Sequence, residues 1–95
     1  MAVYTIALLN ISDRNEYAKY EQGFMEIFNR YSGKLLAVDE APVVLEGTWP
    51  HTRTVLIEFP SQVELDRWYH SDAYQALAKH RFAASQASIA VVKSL

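Results

Sequence analysis

Three stretches of this 95-residue chain read as β-strands with apolar residues on both of their faces, and that pattern limits the fold more than any other feature. Successive side chains of an extended strand point to opposite sides of a sheet. Val3 to Asn10 therefore sets Tyr4, Ile6 and Leu8 on one face and Thr5, Ala7 and Leu9 on the other. Arg53 to Phe59 sets Val55, Ile57 and Phe59 against Thr54, Leu56 and Glu58, and Ile89-Ala90-Val91-Val92 runs apolar without a break. A sheet with one face in water alternates apolar with polar residues. These strands do not, so both faces of their sheet need a cover.

The helices supply only one. Ser12 and Asp13, with Glu16 three residues after the aspartate, form a capping-box signature that starts a helix near Arg14. Tyr17, Tyr20, Phe24, Ile27, Phe28 and Tyr31 then make one apolar stripe over roughly five turns, closed by Gly33 as a C′ glycine. Lys34 to Asp39 is a short strand; Asp39-Glu40-Ala41-Pro42 reads as a bend or bulge, after which Val43-Val44-Leu45 can resume the strand. Gly47 to Thr52 turns the chain back, and Pro60 stops the strand that follows. Ser61 with Glu64 starts a second helix bearing Val63, Leu65, Trp68 and Tyr69, which pauses at His70. Ser71 and Asp72 open a shorter helix with Tyr74, Leu77, Ala78 and Arg81, and Ser88 to Lys93 is the last strand.

The resulting order, β-α-β-β-α-β, is the α+β ferredoxin-like arrangement: one domain with a four-stranded antiparallel sheet and helices on a single face. The simplest cover for the other face is a second copy of the same sheet, because twofold homodimers are the commonest oligomers and monomers seldom expose large apolar patches. A homodimer through sheet faces is therefore expected, with the helices covering the face of Val55, Ile57 and Phe59 and the partner covering the face of Thr54, Leu56 and Glu58. Half of the residues are apolar, 51%, which leaves enough for both a core and an interface.

Charge and motif content exclude several function classes. The net charge is −2 with acids and bases interleaved, unlike the clustered basic surface of a nucleic-acid binder. No apolar run approaches the roughly 20 residues of a membrane span. The first strand pattern begins at Val3 and leaves no room for a secretory signal, so a cytoplasmic location is expected. Cysteine is absent, and with it thiol chemistry. There is no nucleophile elbow, phosphate-cradling loop or dinucleotide fingerprint, and the three glycines read as helix ends or turns, so no cofactor is expected. His51, His70 and His80 lack the i, i+4 pairing of a helical zinc site, and no metal is expected.

Several segments together resemble the domain-of-unknown-function family 1330. They are Ser12-Asp13 followed by Tyr17, Tyr31-Ser32-Gly33, Leu45-Glu46-Gly47, Ile57-Glu58-Phe59-Pro60-Ser61, Trp68-Tyr69-His70-Ser71 and Tyr74-Gln75-Ala76-Leu77. The resemblance spans nearly the whole chain and implies the dimeric α+β barrel superfamily, in which two ferredoxin-like sheets pair into a barrel. Relatives in that superfamily include cofactor-free monooxygenases, muconolactone isomerases, haem-dependent enzymes and small-ligand sensors. The chain departs from the family at Val38-Asp39-Glu40-Ala41-Pro42, where members commonly carry a glycine-rich turn.

The residues themselves point to a small-molecule site between sheet and helices or at the barrel mouth, without choosing between catalysis and binding alone. Glu58, in an otherwise apolar strand, is the first candidate acid/base, since desolvation raises a carboxyl pKa. Its alternative role is a structural ion pair with Arg53, Lys93 or a helix arginine. His70 is a second catalytic candidate or a helix-end cap. Arg53 and Arg81 offer planar forks for an anionic ligand or for Glu46 and Glu58. Tyr17, Trp68, Tyr69 and Tyr74 either line the pocket or simply pack the core.

Overall fold

Side-chain caps set the helix starts, as the sequence predicts. In the computed structural model, which describes residues Met1–Leu95, the Asp13 carboxylate accepts the Glu16 backbone N–H at 3.1 Å, and helix α1 runs Arg14–Phe28. Ser61 Oγ accepts from Glu64 N at 3.3 Å and opens α2, Gln62–Tyr69; Ser71 Oγ accepts from Tyr74 N at 3.2 Å and opens α3, Asp72–Ala84. Only half of each capping box forms, because the glutamates reach elsewhere: Glu16 to His80 and Lys19, Glu64 to Arg67 and Ser32.

The strands are β1 (Val3–Ile11), β2 (Lys34–Asp39), β3 (Arg53–Phe59) and β4 (Ser85–Lys93), in one antiparallel sheet of order β2-β3-β1-β4. Register places Thr5 opposite Ile57 and Val91, and Ala7 opposite Val55 and Ile89, on the helix side. Tyr4 opposite Glu58 and Val92, and Ile6 opposite Leu56 and Ala90, lie on the other. Ile57 and Phe59 are buried beneath the helices, the cover expected for that face. The chain measures 34 × 33 × 16 Å along its principal axes, which is room for one sheet and one helix layer. The face bearing Tyr4, Ile6, Leu8 and Leu56 has no helix over it. No helix is long and apolar enough to cross a membrane.

Four sequence-based expectations change. The first helix ends at Phe28, so Tyr31 lies beyond it and the stripe covers about four turns. Val43-Val44-Leu45 does not resume a strand: β2 ends at Asp39, and Val43 and Leu45 stand 89% and 91% exposed in the connecting loop. β4 begins at Ser85 rather than Ser88. The fourth concerns glycine. Only Gly47 has a positive φ, so Gly33 is not a left-handed helix cap. A Cβ on Gly33 would lie 2.5 Å from Phe59 Cζ and 2.6 Å from Phe28 Cζ, so close approach of two buried rings is what requires glycine there. Gly23 lies inside α1, neither at a helix end nor in a turn, and faces Leu77 of α3, whose Cδ1 would be 2.7 Å from an added Cβ.

Gly33→Ala accordingly tests the packing. The rings of Phe28 and Phe59 are fully enclosed and cannot swing away, so overpacking should cost about 1–3 kcal/mol. Urea denaturation should show the midpoint falling with an unchanged slope, and an unchanged midpoint would mean that the rings have room to yield.

Candidate functional site

The core is an aromatic stack pinned between the helices and the sheet. Trp68 of α2 sits at its centre, 4.3 Å from the Tyr74 ring, 5.4 Å from Phe28 and 5.5 Å from Phe59, centroid to centroid. On one side the stack does not fill the space over β1 and β3. A cavity of about 180 Å³ remains, floored by Thr5, Ala7 and Val55 and walled mainly by aromatic side chains of the helices. The small side chains of Thr5 and Ala7 beneath bulky rings leave the gap.

Six of the eight residues singled out by sequence meet here. Tyr17, Arg53, Trp68, Tyr69, Tyr74 and Arg81 all line the cavity. Glu58 and His70 do not. Glu58 projects from the helix-free face, where the register sets it opposite Tyr4 and Lys34, and the sheet itself separates it from Arg53 and Arg81. It forms no ion pair with Arg53, Lys93 or a helix arginine within the chain. His70 caps α2 through its backbone N–H to Asp66 O at 2.9 Å, with its exposed ring edge-on to Tyr69. The expected gathering of a carboxylate, a histidine and two arginines in one place thus does not occur. Sequence reasoning missed Thr5, Tyr20 and Glu21, which also line the cavity. Tyr20 shares the helix stripe with Tyr17, and that spacing was its only signal.

The hydroxyls of Tyr20 and Tyr74 lie 2.7 Å apart and join α1 to α3. Burial raises the pKa of both phenols; their mutual contact raises Tyr20 further, while Arg81 partly offsets the rise at Tyr74. Burial likewise raises Tyr17, against the pull of Arg53. All three are therefore neutral hydrogen-bonding groups at physiological pH rather than bases.

The two arginines differ. Arg53 lies over the Tyr17 ring at 5.5 Å and is tied to Glu21 and Glu40, each at 3.3 Å, across the rim of the cavity. Glu40 also takes Arg14 at 2.7 Å, and that hydrogen bond is the main reason its carboxyl pKa is lowered. Asp39 Oδ1 holds the segment around Glu40 by accepting Ala41 N at 2.9 Å. Arg81, on α3, has no carboxylate partner and rests against Tyr20 and Phe82.

Comparison with known proteins agrees with this architecture. The model of the family described as Domain of unknown function (DUF1330) matches residues 2–95. No curated protein matches the chain. Among solved structures, a protein of unknown function from Rhodopseudomonas palustris is similar with a TM-score of 0.84 at 20% identity, covering 99% of this chain and 82% of that one. A dimeric ferredoxin-like protein of unknown function from Jannaschia sp. CCS1 follows with a TM-score of 0.71 at 12% identity, covering 99% and 100%. SnoaB, a cofactor-independent oxygenase from Streptomyces nogalater, has a TM-score of 0.70 at 11% identity, covering 99% and 93%. At these identities the likeness is one of fold.

Proposed function

We propose that this chain, which belongs to the DUF1330 family, is a homodimeric small-molecule-binding protein whose protomers each hold one ring-sized ligand between helices and sheet. The cavity carries this reading. It is concave, mostly apolar and furnished with a few polar groups, the usual makeup of a ligand site. An apolar cavity of about 150 Å³ accommodates benzene, so about 180 Å³ suits one ring with a small substituent. The second sheet face is left to the partner protomer; proteins of the same fold, such as that from Jannaschia sp. CCS1, are dimeric.

Trp68 lines the cavity while Trp49, the other tryptophan, lies in the loop before β3 and bonds Thr54 through its indole N–H at 3.2 Å. Titration with benzyl alcohol, a neutral single-ring probe, should move the Trp68 indole N–H resonance saturably and leave that of Trp49 in place. Absence of a saturable shift at Trp68 would count against the pocket.

A second reading, turnover of the bound molecule by dioxygen without a cofactor, is favoured by the fold shared with SnoaB. In that case Glu21 is the group at the cavity that takes a proton, Tyr20 and Tyr74 serve as neutral hydrogen-bond partners, and oxygen uptake by the metal-free protein in the presence of bound ligand separates turnover from binding. Glu58 then serves the helix-free face, where the Lys34 opposite it in the ladder is a favourable cross-strand neighbour.

A further inference from the structure

The polar groups of the cavity are unevenly matched. Arg81 is only 5% exposed, and it takes part in none of the chain's ion pairs. Its Nε and one terminal nitrogen are buried without an acceptor. Trp68 Nε1 is buried without an acceptor as well, and Thr5 Oγ1 has no partner of either kind. In the Tyr20–Tyr74 pair one hydroxyl donates to the other, which leaves the second with a proton still to give. Guanidinium and indole nitrogens only donate, and a hydroxyl can. The one carboxylate in the lining, Glu21, is already committed to Arg53.

Burying a cation with no counter-ion costs several kcal/mol, and buried donors are ordinarily paired. The place of Arg81 in the last turn of α3 favours its charge through the helix dipole, but explains neither its burial nor its unpaired nitrogens. Two arginines against one glutamate leave the lining with a single uncompensated positive charge.

We propose that the ligand is a single-ring carboxylate, its carboxylate seated on the Arg81 guanidinium and its ring among Trp68, Phe24 and Tyr74. The inference rests on the pocket reading above and adds the chemical class of its occupant. A planar carboxylate matches the guanidinium fork and cancels the one free charge. A phosphate dianion would leave a negative charge buried in its turn.

Calorimetric titration of the wild-type protein at neutral pH with benzoate and with benzamide, which differ in charge but hardly in shape, tests this. Benzoate should bind at least tenfold more tightly than benzamide. In Arg81→Met that preference should vanish while benzamide affinity stays within about twofold, as expected for loss of a charge-assisted contact worth about one decade in affinity. The wild-type comparison needs no variant, so it stands even where Arg81→Met fails to fold. Equal binding of the two probes, or a benzoate preference that survives in Arg81→Met, would overturn the carboxylate assignment while leaving the pocket intact. Failure of both probes and of benzyl alcohol to bind would overturn the pocket and the assignment together.

Discussion

Replacing Trp68 with alanine should lower the stability of the fold by about 3–5 kcal/mol, the cost of removing a large buried aromatic from a close-packed core. The indole is 3% exposed and lies against rings from three other elements: Phe28 of α1, Phe59 of β3 and Tyr74 of α3. Its loss would merge the vacated space with the existing cavity, so the surroundings cannot collapse onto it cheaply. Stabilities of small domains are about 5–15 kcal/mol, so this single change removes a large share. Trp68→Phe separates packing from the unpaired indole N–H. It keeps a ring in the stack and deletes a buried donor without a partner, so it should cost clearly less than the alanine variant in urea denaturation. Equal losses for the two variants would mean that the stack contributes little beyond the tryptophan's full size.

Leu56→Lys should turn a dimer into a monomer at micromolar concentration. Leu56 lies on the helix-free face, flanked by Ile6 on β1 and Ala37 on β2, so its side chain is where a second sheet would pack. A twofold interface places the substitution in both protomers. Two lysines pressed into an apolar contact cost several kcal/mol, and every 1.4 kcal/mol or so is a factor of ten in the dissociation constant. Val63→Lys supplies the contrast. Val63 is 69% exposed on the outer side of α2, far from that face, and its replacement should leave the assembly unchanged.

The two-faced strands were legible in the sequence because strand periodicity is local: every second residue of β1 and β3 lies where alternation puts it. So were the helix starts at Asp13, Ser61 and Ser71 and the break at His70, since caps depend on residues three apart. Gly23 and Gly33 were misread because their demand comes from rings and methyls distant in sequence, Leu77, Phe28 and Phe59, that only the packed structure brings near. Val43-Val44-Leu45 has strand propensity but no ladder to join, and propensity without a partner does not make a strand.

The site divides along the same line. Residue type and stripe position were enough to select Tyr17, Trp68, Tyr69, Tyr74 and both arginines. What could not be read was pairing. Arg53 is ion-paired with Glu21 of α1 and with Glu40 just beyond β2, while Arg81 is left without a carboxylate. Glu58 lies on the face away from the helices, and alternation along β3 alone sets Arg53 on the opposite face; what the sequence does not show is that Arg81 lies on that opposite side too. A strand's alternation fixes which side a residue faces; it does not say which distant charges share that side.

The central claim is that one sheet face encloses the cavity and the other is closed by a second copy. Sedimentation of the wild-type chain at micromolar concentration tests it most directly. The expected mass is twice the 10.9 kDa of the chain, falling to the single-chain value in Leu56→Lys with the near-ultraviolet circular dichroism of the folded core retained. A wild-type chain that sediments at 10.9 kDa under those conditions would contradict it.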